Sequence, residues 1–430
     1  MRTTVLFFSL IFLIQACTTG NAFNQNGHEE TLIPTSYSGT KAKQLTPNTS
    51  IKYRIYLDNS YSMNGYFKDG SNFLSTVNKL ITHLSNISDD ENSICDLNYI
   101  NNGINYFGNT KNIDIGKYLG SINDFYSNDQ KGNRKVTDLK DVLKSVIDSI
   151  QQNTVNVIIT DGIPSPGLNG QESGTYLDIL QNCIYKGVYS KLSKLEFITQ
   201  IIKCKSGFSG IYINQLNKGI KLEGNERPYY IFIMGEEIAS KKVAEFIRKH
   251  IESSNFQSSV LFNNSHNITV KSKILLGTGY EIVGNASAMK IHKKNEGTNE
   301  VKLRILADYK TISQNDEYLL NFDNYEVTPV DAKITIYKIT NIDDPLNKGF
   351  THKILLTIPN LYQNEQVKIC LKNIQPEWIK ETNTTQDINL SDSEIKQKTF
   401  GFQYIVNGFI DGYRERKLID NYFTLIIKNQ

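Results

Sequence analysis

Residues 51–62 read IKYRIYLDNSYS and residues 154–162 read TVNVIITDG. Each is an apolar run of strand length that ends on an Asp among Ser, Thr, Asn or Gly. A short, continuous apolar run bounded by turn residues reads as a strand buried on both faces, as in a parallel sheet. Helical faces surround these two strands. Phe73, Val77, Leu80, Ile81 and Leu84 recur at the helical period, with Ser71-Asn72 as the cap. Leu139, Val142, Leu143, Val146 and Ile150 repeat that spacing, and Thr137-Asp138 opens the second helix. Residues 93–107 read as one or two strands turning at Asn101-Asn102-Gly103. A helical stretch follows around 175–203. PYYIFIMG (228–235) reads as a further buried strand, and Val243, Phe246, Ile247 and Ile251 mark a helix after it. Strands alternating with helices predict a doubly wound, mostly parallel α/β sheet over residues 51–256. Ligands of such sheets bind outside the carboxyl ends of the strands.

After residue 256 the pattern changes to short alternating runs: NITVKSKILLG, EVKLRILADYKTI, DAKITIYKIT, HKILLTIPN and EQVKICLKNI. Asn, Gly, Asp and Pro separate them. This predicts a β-rich, sandwich-like domain over 257–430. One stretch keeps helical spacing: Phe402, Ile405, Val406, Phe409, Ile410 and Tyr413 predict a helix near 399–413, packed on the β domain. Trp378 is expected in the sandwich core.

The chain has 430 residues, 39% hydrophobic and 21% charged, which supports two or three packed domains and excludes a mostly disordered protein. A net charge of +3 without a Lys/Arg block argues against nucleic acid as a partner. Residues 1–16 begin with Met-Arg and continue into a short apolar run, as a secretory signal does. The run ends Leu13-Ile14-Gln15-Ala16-Cys17, which resembles a bacterial lipobox and implies lipidation at Cys17. Residues 17–50 are polar and aperiodic and read as a tether spanning about 30–35 Å. The expected location is the cell envelope, lipid-anchored, with the outer membrane favoured because Thr rather than Asp follows Cys17. Cys95, Cys183, Cys204 and Cys370 show no CxxC spacing. Their pairing is open, and free buried thiols are the simpler reading.

The chemistry converges on three junctions. The first strand delivers Asp58, Ser60 and Ser62; the second helix opens at Thr137; the second buried strand delivers Asp161. The topology brings these loops to one crevice holding carboxylates and hydroxyls, without His or Cys. Such hard oxygen donors suit Mg²⁺, or Mn²⁺ or Ca²⁺, rather than zinc or copper.

This constellation resembles the metal-ion-dependent adhesion site of the von Willebrand factor A (vWA) family. Asp58, Ser60 and Ser62 match its D-x-S-x-S loop, with Met63 fitting a common bacterial form. Thr137 matches the second loop and Asp161 the third. Tyr61 departs from the Gly frequent in bacterial members and is expected to narrow the approach. The resemblance covers residues 50–255. It implies that Asp58, Ser60, Ser62, Thr137 and Asp161 hold a divalent metal, and that an acidic group of a protein partner completes its coordination. The alternative is a scaffold in an envelope assembly whose metal does not touch the partner. A metal-dependent phosphatase is disfavoured, because Ser60 stands where a second Asp is needed. The six His residues fall in no motif, and neither G-x-S-x-G nor a Gly-rich phosphate loop is present. The chain is therefore expected not to be an enzyme.

Overall fold

The computed structural model describes residues 32–34, 50–67, 71–90, 93–114, 118, 132, 134, 137–164, 173–216, 218–250, 255–262, 271–276, 280–283, 290–293, 300–309, 316–341, 343–359, 366–372, 375–416 and 421–429. The signal segment 1–16 and Cys17 lie outside these residues.

Chain order begins with Leu32–Pro34 (β1), Lys52–Asp58 (β2), Asn72–Asp90 (α1), Ile94–Ile100 (β3) and Ile104–Asn109 (β4). Leu139–Asp148 (α2), Thr154–Thr160 (β5) and Ser173–Leu192 (α3) follow. Next come Ile198–Ile213 (β6), Gly219–Gly235 (β7), Glu237–His250 (α4) and Phe256–Phe262 (β8). Seven strands form one sheet in the order β4-β3-β2-β5-β7-β6-β8. β2 is parallel to both β3 and β5. The remaining pairs, β3–β4, β5–β7, β6–β7 and β6–β8, are antiparallel.

The mostly parallel expectation thus holds only for the centre β3-β2-β5, which carries Asp58 and leads to Asp161, and every other pair of the sheet is antiparallel. The cause lies in residues 198–213. The sequence reading ran a helix to residue 203, but α3 stops at Leu192 and the β-branched run ITQII starts a strand. β6 then hairpins directly into β7. Asn214 fixes the turn, its side-chain oxygen accepting from the Leu216 and Lys218 amides at 3.0 and 2.9 Å. PYYIFIMG must therefore return antiparallel, and it is β7 that takes the place beside β5.

Both faces of the sheet are covered. Alternation divides β5, with Val155, Val157 and Ile159 facing α1 and α4 and Ile158 facing α2 and α3. At the predicted cap of α1, the Ser71 hydroxyl accepts from the Leu74 amide at 3.1 Å.

The chain continues through Lys271–Leu276 (β9), Tyr280–Val283 (β10), Lys290–Lys293 (β11), Val301–Ala307 (β12), Tyr325–Thr328 (β13), Lys333–Lys338 (β14), His352–Ile358 (β15) and Gln366–Lys372 (β16). Phe402–Glu415 (α5) and Asn421–Asn429 (β17) close it. Two five-stranded sheets form, β1-β9-β12-β15-β14 and β10-β11-β17-β16-β13. They share one core, in which Val301, Leu303, Ile305, Ile354 and Leu356 meet Tyr325, Val367, Ile369 and Leu371. The expected tether contributes to this unit, since Leu32–Pro34 pairs antiparallel with β9.

α5 corrects a second expectation. It spans Phe402–Glu415 and packs on α3 and the seven-stranded sheet rather than on the β-rich unit. Phe402, Ile405, Val406, Phe409, Ile410 and Tyr413 are all buried in the cluster that holds Leu180, Ile184, Tyr230 and Phe232. Each such side chain contributes roughly 1.5–3 kcal/mol when fully buried. The helix spacing showed an apolar stripe but not which sheet it covers. Trp378 goes with it, its ring 5.8 Å from Phe402 rather than in the sandwich core. Likewise β8 extends the α/β sheet to Phe262. The chain therefore leaves the β-rich unit after β16, completes the α/β unit with residues 375–416, and returns as β17.

Cys95, Cys183, Cys204 and Cys370 are free thiols. Among the described residues, no helix is long and apolar enough to cross a membrane.

Candidate functional site

β2 and β5 are neighbouring parallel strands, so Asp58 and Asp161 emerge side by side at their carboxyl ends. Past Asp58 the chain tightens into a 3-10 turn at Tyr61–Gly65, anchored by buried Met63. The Ser60 amide donates to Asp58 Oδ1 at 2.9 Å, and the Ser60 and Ser62 hydroxyls lie 3.0 Å apart. From β5, the Thr160 hydroxyl donates to Asp58 Oδ2 at 2.7 Å. Gly162 takes φ of +71°, a left-handed conformation natural to glycine. Its amide donates to the Thr160 hydroxyl at 3.1 Å, while the Ile163 amide donates to Asp161 Oδ1 at 3.0 Å. Asp58, Ser60, Thr137 and Asp161 are all buried.

Thr137 precedes Asp138, whose side chain caps α2 by accepting from the Asp141 amide. Its segment is laced to the first loop. The Asp138 amide donates to the Asn101 carbonyl at 3.2 Å, and the Asn101 amide group donates to Asn59 Oδ1 at 2.9 Å. Arg134 donates to the Asn59 carbonyl and to Asn64 Oδ1, both at 2.6 Å. The Tyr61 amide donates back to the Arg134 carbonyl at 2.9 Å. Tyr61 itself is 45% exposed, with the Arg134 guanidinium 5.2 Å from its ring centroid.

Electrostatics mark the pocket. Burial, and then the charge of Asp161, push the Asp58 carboxyl up to about 7. Burial raises Asp161 as well, opposed by the Ile163 amide, the Ser62 hydroxyl and the charge of Arg227. Two buried acids in one pocket are stabilised by a shared cation or by a proton. The donors are carboxylates and hydroxyls, which fit a hard divalent ion. Among the described residues, no three His, Cys, Asp or Glu side chains cluster as a metal site. The grouping here is the Asp58 and Asp161 carboxylates with the hydroxyls of Ser60, Ser62 and Thr160.

Sequence reasoning missed Thr160, Asn59, Asn101, Arg134 and Arg227. Thr160 was legible in principle, as a hydroxyl at the last position of a strand whose next residue is a site Asp. The asparagines and Arg134 act through long-range hydrogen bonds that no spacing announces. Thr160→Val keeps the side-chain shape and removes the donor to Asp58. Were Asp58 a ligand of Mn²⁺, the change is expected to weaken that binding about tenfold by calorimetric titration, as loss of a ligand's supporting hydrogen bond does.

No protein-family model matches the chain, and no similar protein is found among curated proteins.

Proposed function

We propose that the chain carries a vWA-type metal site and uses a bound Mg²⁺-class ion to engage an acidic group of a protein partner. The single observation behind this reading is the pair of buried carboxylates, Asp58 and Asp161, set at the ends of adjacent parallel strands with Ser60 and Ser62 hydroxyls beside them. Asp58, Ser60, Ser62, Thr137 and Asp161 would hold the ion. Once bound, the ion offers a coordination position to an incoming carboxylate. The protein's own groups orient that site: Thr160 and the Ser60 amide fix the two oxygens of Asp58, and the Ile163 amide fixes Asp161. Attachment to the cell envelope through lipidated Cys17 belongs to the same proposal and rests on residues 1–17.

The test is capture of an envelope protein by the immobilised chain, with Mg²⁺ and with EDTA. Capture is expected to need Mg²⁺ and to be lost in Asp161→Ala. Equal capture in EDTA and by Asp161→Ala sinks the adhesion mechanism and favours the scaffold.

A further inference from the structure

His352 is buried in the β-rich unit with one ring nitrogen left unsatisfied. It opens β15, between Ala307 of β12 and Lys338 of β14 in the register. The residue is 3% exposed. Nδ1 lies 2.9 Å from the Thr351 hydroxyl, which also accepts from the Tyr309 amide at 2.8 Å and reaches the Ala307 carbonyl at 3.3 Å. A hydroxyl can donate or accept, so that end suits either protonation state of the ring. Nε2 does not. It is buried with no hydrogen-bond partner among the described residues. The acid facing it, Asp316, opens the short helix Asp316–Leu320 and stands 3.9 Å away, beyond hydrogen-bond reach. Lys338 holds that carboxylate instead, donating from Nζ to Oδ2 at 2.5 Å. The helix is tied to the core through buried Leu319, whose carbonyl accepts from the Tyr325 hydroxyl at 2.8 Å. The Tyr309 ring packs against the imidazole, centroids 4.9 Å apart. Burial holds the imidazole below its ordinary 6.5; Asp316 and Asp308 favour its protonated form, and Lys338 opposes it.

We propose that His352, Asp316 and Lys338 form an acid-sensitive latch of the β-rich unit: neutral His352 lets the helix Asp316–Leu320 rest beside β14, and protonated His352 releases the helix so that water reaches Nε2. A buried imidazolium needs an acceptor at Nε2, and Asp316 is committed to Lys338. Opening to solvent satisfies the charge and leaves the Asp316–Lys338 pair intact. The sign follows from proton uptake. The opened state binds the proton at about pH 6.5 and the closed state only at lower pH. Closure is therefore fully favoured above pH 6.5 and loses that advantage as the pH falls below it. The latch shares no residue with the proposed metal site and stands apart from that reading.

The experiment is amide hydrogen exchange of the full chain, read peptide by peptide at pH 7.5 and pH 5.5 and corrected for the intrinsic rate. Amides of residues 316–320 are expected to open more often at pH 5.5, by up to about tenfold, the ceiling for an imidazole that titrates at 6.5 when opened and not at all when closed. His352→Gln keeps a polar group beside Thr351 and cannot take the proton, so it is expected to lack the rise. Lys338→Met is expected to shrink the rise and Asp316→Asn to enlarge it, because one removes a repulsion and the other an attraction for the protonated ring. Each is read as the ratio between the two pH values in one protein, so a general loosening of the helix cancels. The readout is local, so titration of Asp58 does not enter it. No rise in the native chain, or an equal rise in His352→Gln, overturns the latch. So does slower exchange at pH 5.5, the result if Asp316 closed on protonated His352. Should His352→Gln fail to fold, the opposite signs of Lys338→Met and Asp316→Asn carry the test, and equal effects of those two overturn the proposal.

Discussion

Asp58→Ala is expected to abolish the heat of Mg²⁺ and Mn²⁺ binding that the proposed metal site predicts for the native chain in calorimetric titration. The substitution removes one of the two carboxylates that would face the proposed cation, and the hydroxyls of Ser60, Ser62 and Thr137 carry too little negative charge to replace it. Loss of at least 100-fold in affinity is expected, on the order of 3 kcal/mol. Asp58→Asn separates this loss from unfolding. It keeps the shape of the side chain and one oxygen for the Ser60 amide, while its NH2 group replaces the second oxygen and can donate to the Thr160 hydroxyl, which now accepts. Burial and the neighbouring Asp161 charge already disfavour ionised Asp58 in the metal-free fold. A neutral isostere is therefore expected to leave the metal-free protein at least as stable. Metal at 100 times its dissociation constant stabilises the native chain by about 2.7 kcal/mol, seen as a rise in Tm that the variant lacks. An Asp58→Asn protein still stabilised by Mg²⁺ to the native degree would exclude this pocket as the metal site.

The second large effect is expected at the contact between α3 and α5. A Cβ built on Gly408 would sit 2.7 Å from Ile184 Cβ and 2.8 Å from the Gln181 backbone carbonyl. One turn on, a Cβ on Gly412 would meet Val188 at 2.6 Å. The two helices approach this closely because neither position has a side chain. Gly408→Leu forces them apart and is expected to cost about 3 kcal/mol or more in denaturant unfolding. Gly174→Ala, in the first turn of α3, is the control: nothing lies within 4 Å of the added carbon, and the change is expected to be neutral or mildly stabilising. A harmless Gly408→Leu would show that α5 does not pack on α3.

Strand and helix signals were legible wherever periodicity was local. β2, β5 and α1 follow from apolar spacing and a capping Ser, and the register of β2 against β5 then delivers Asp58 and Asp161 to one edge. What spacing did not carry is partner choice between distant segments. The stripe of α5 reads the same whether it faces a sandwich or an α/β sheet, and only the glycines at 408 and 412 hint at a neighbouring helix. The β6–β7 hairpin was hidden because residues 193–203 continue an apolar pattern from the preceding helix. Its misreading concealed the antiparallel half of the sheet and, with it, Arg227. In the site, residues that face the pocket from strand ends were readable, whereas Asn59, Asn101 and Arg134 work through contacts spanning up to 75 positions, which local pattern does not encode.

The passage of residues 375–416 through the α/β unit also governs the order in which the molecule can be completed during synthesis. Tyr413 shares a hydrogen bond with Thr199, 214 positions earlier, and donates another to the Phe197 carbonyl. On the sheet face bearing Tyr230 and Phe232, which α2 and α3 share, the area under α5 stays uncovered until nearly the whole chain has been made. Closure over so long a separation is slow relative to local folding. For the same reason, a product cut short before residue 402 would not be a smaller working protein: it would present that apolar face to solvent.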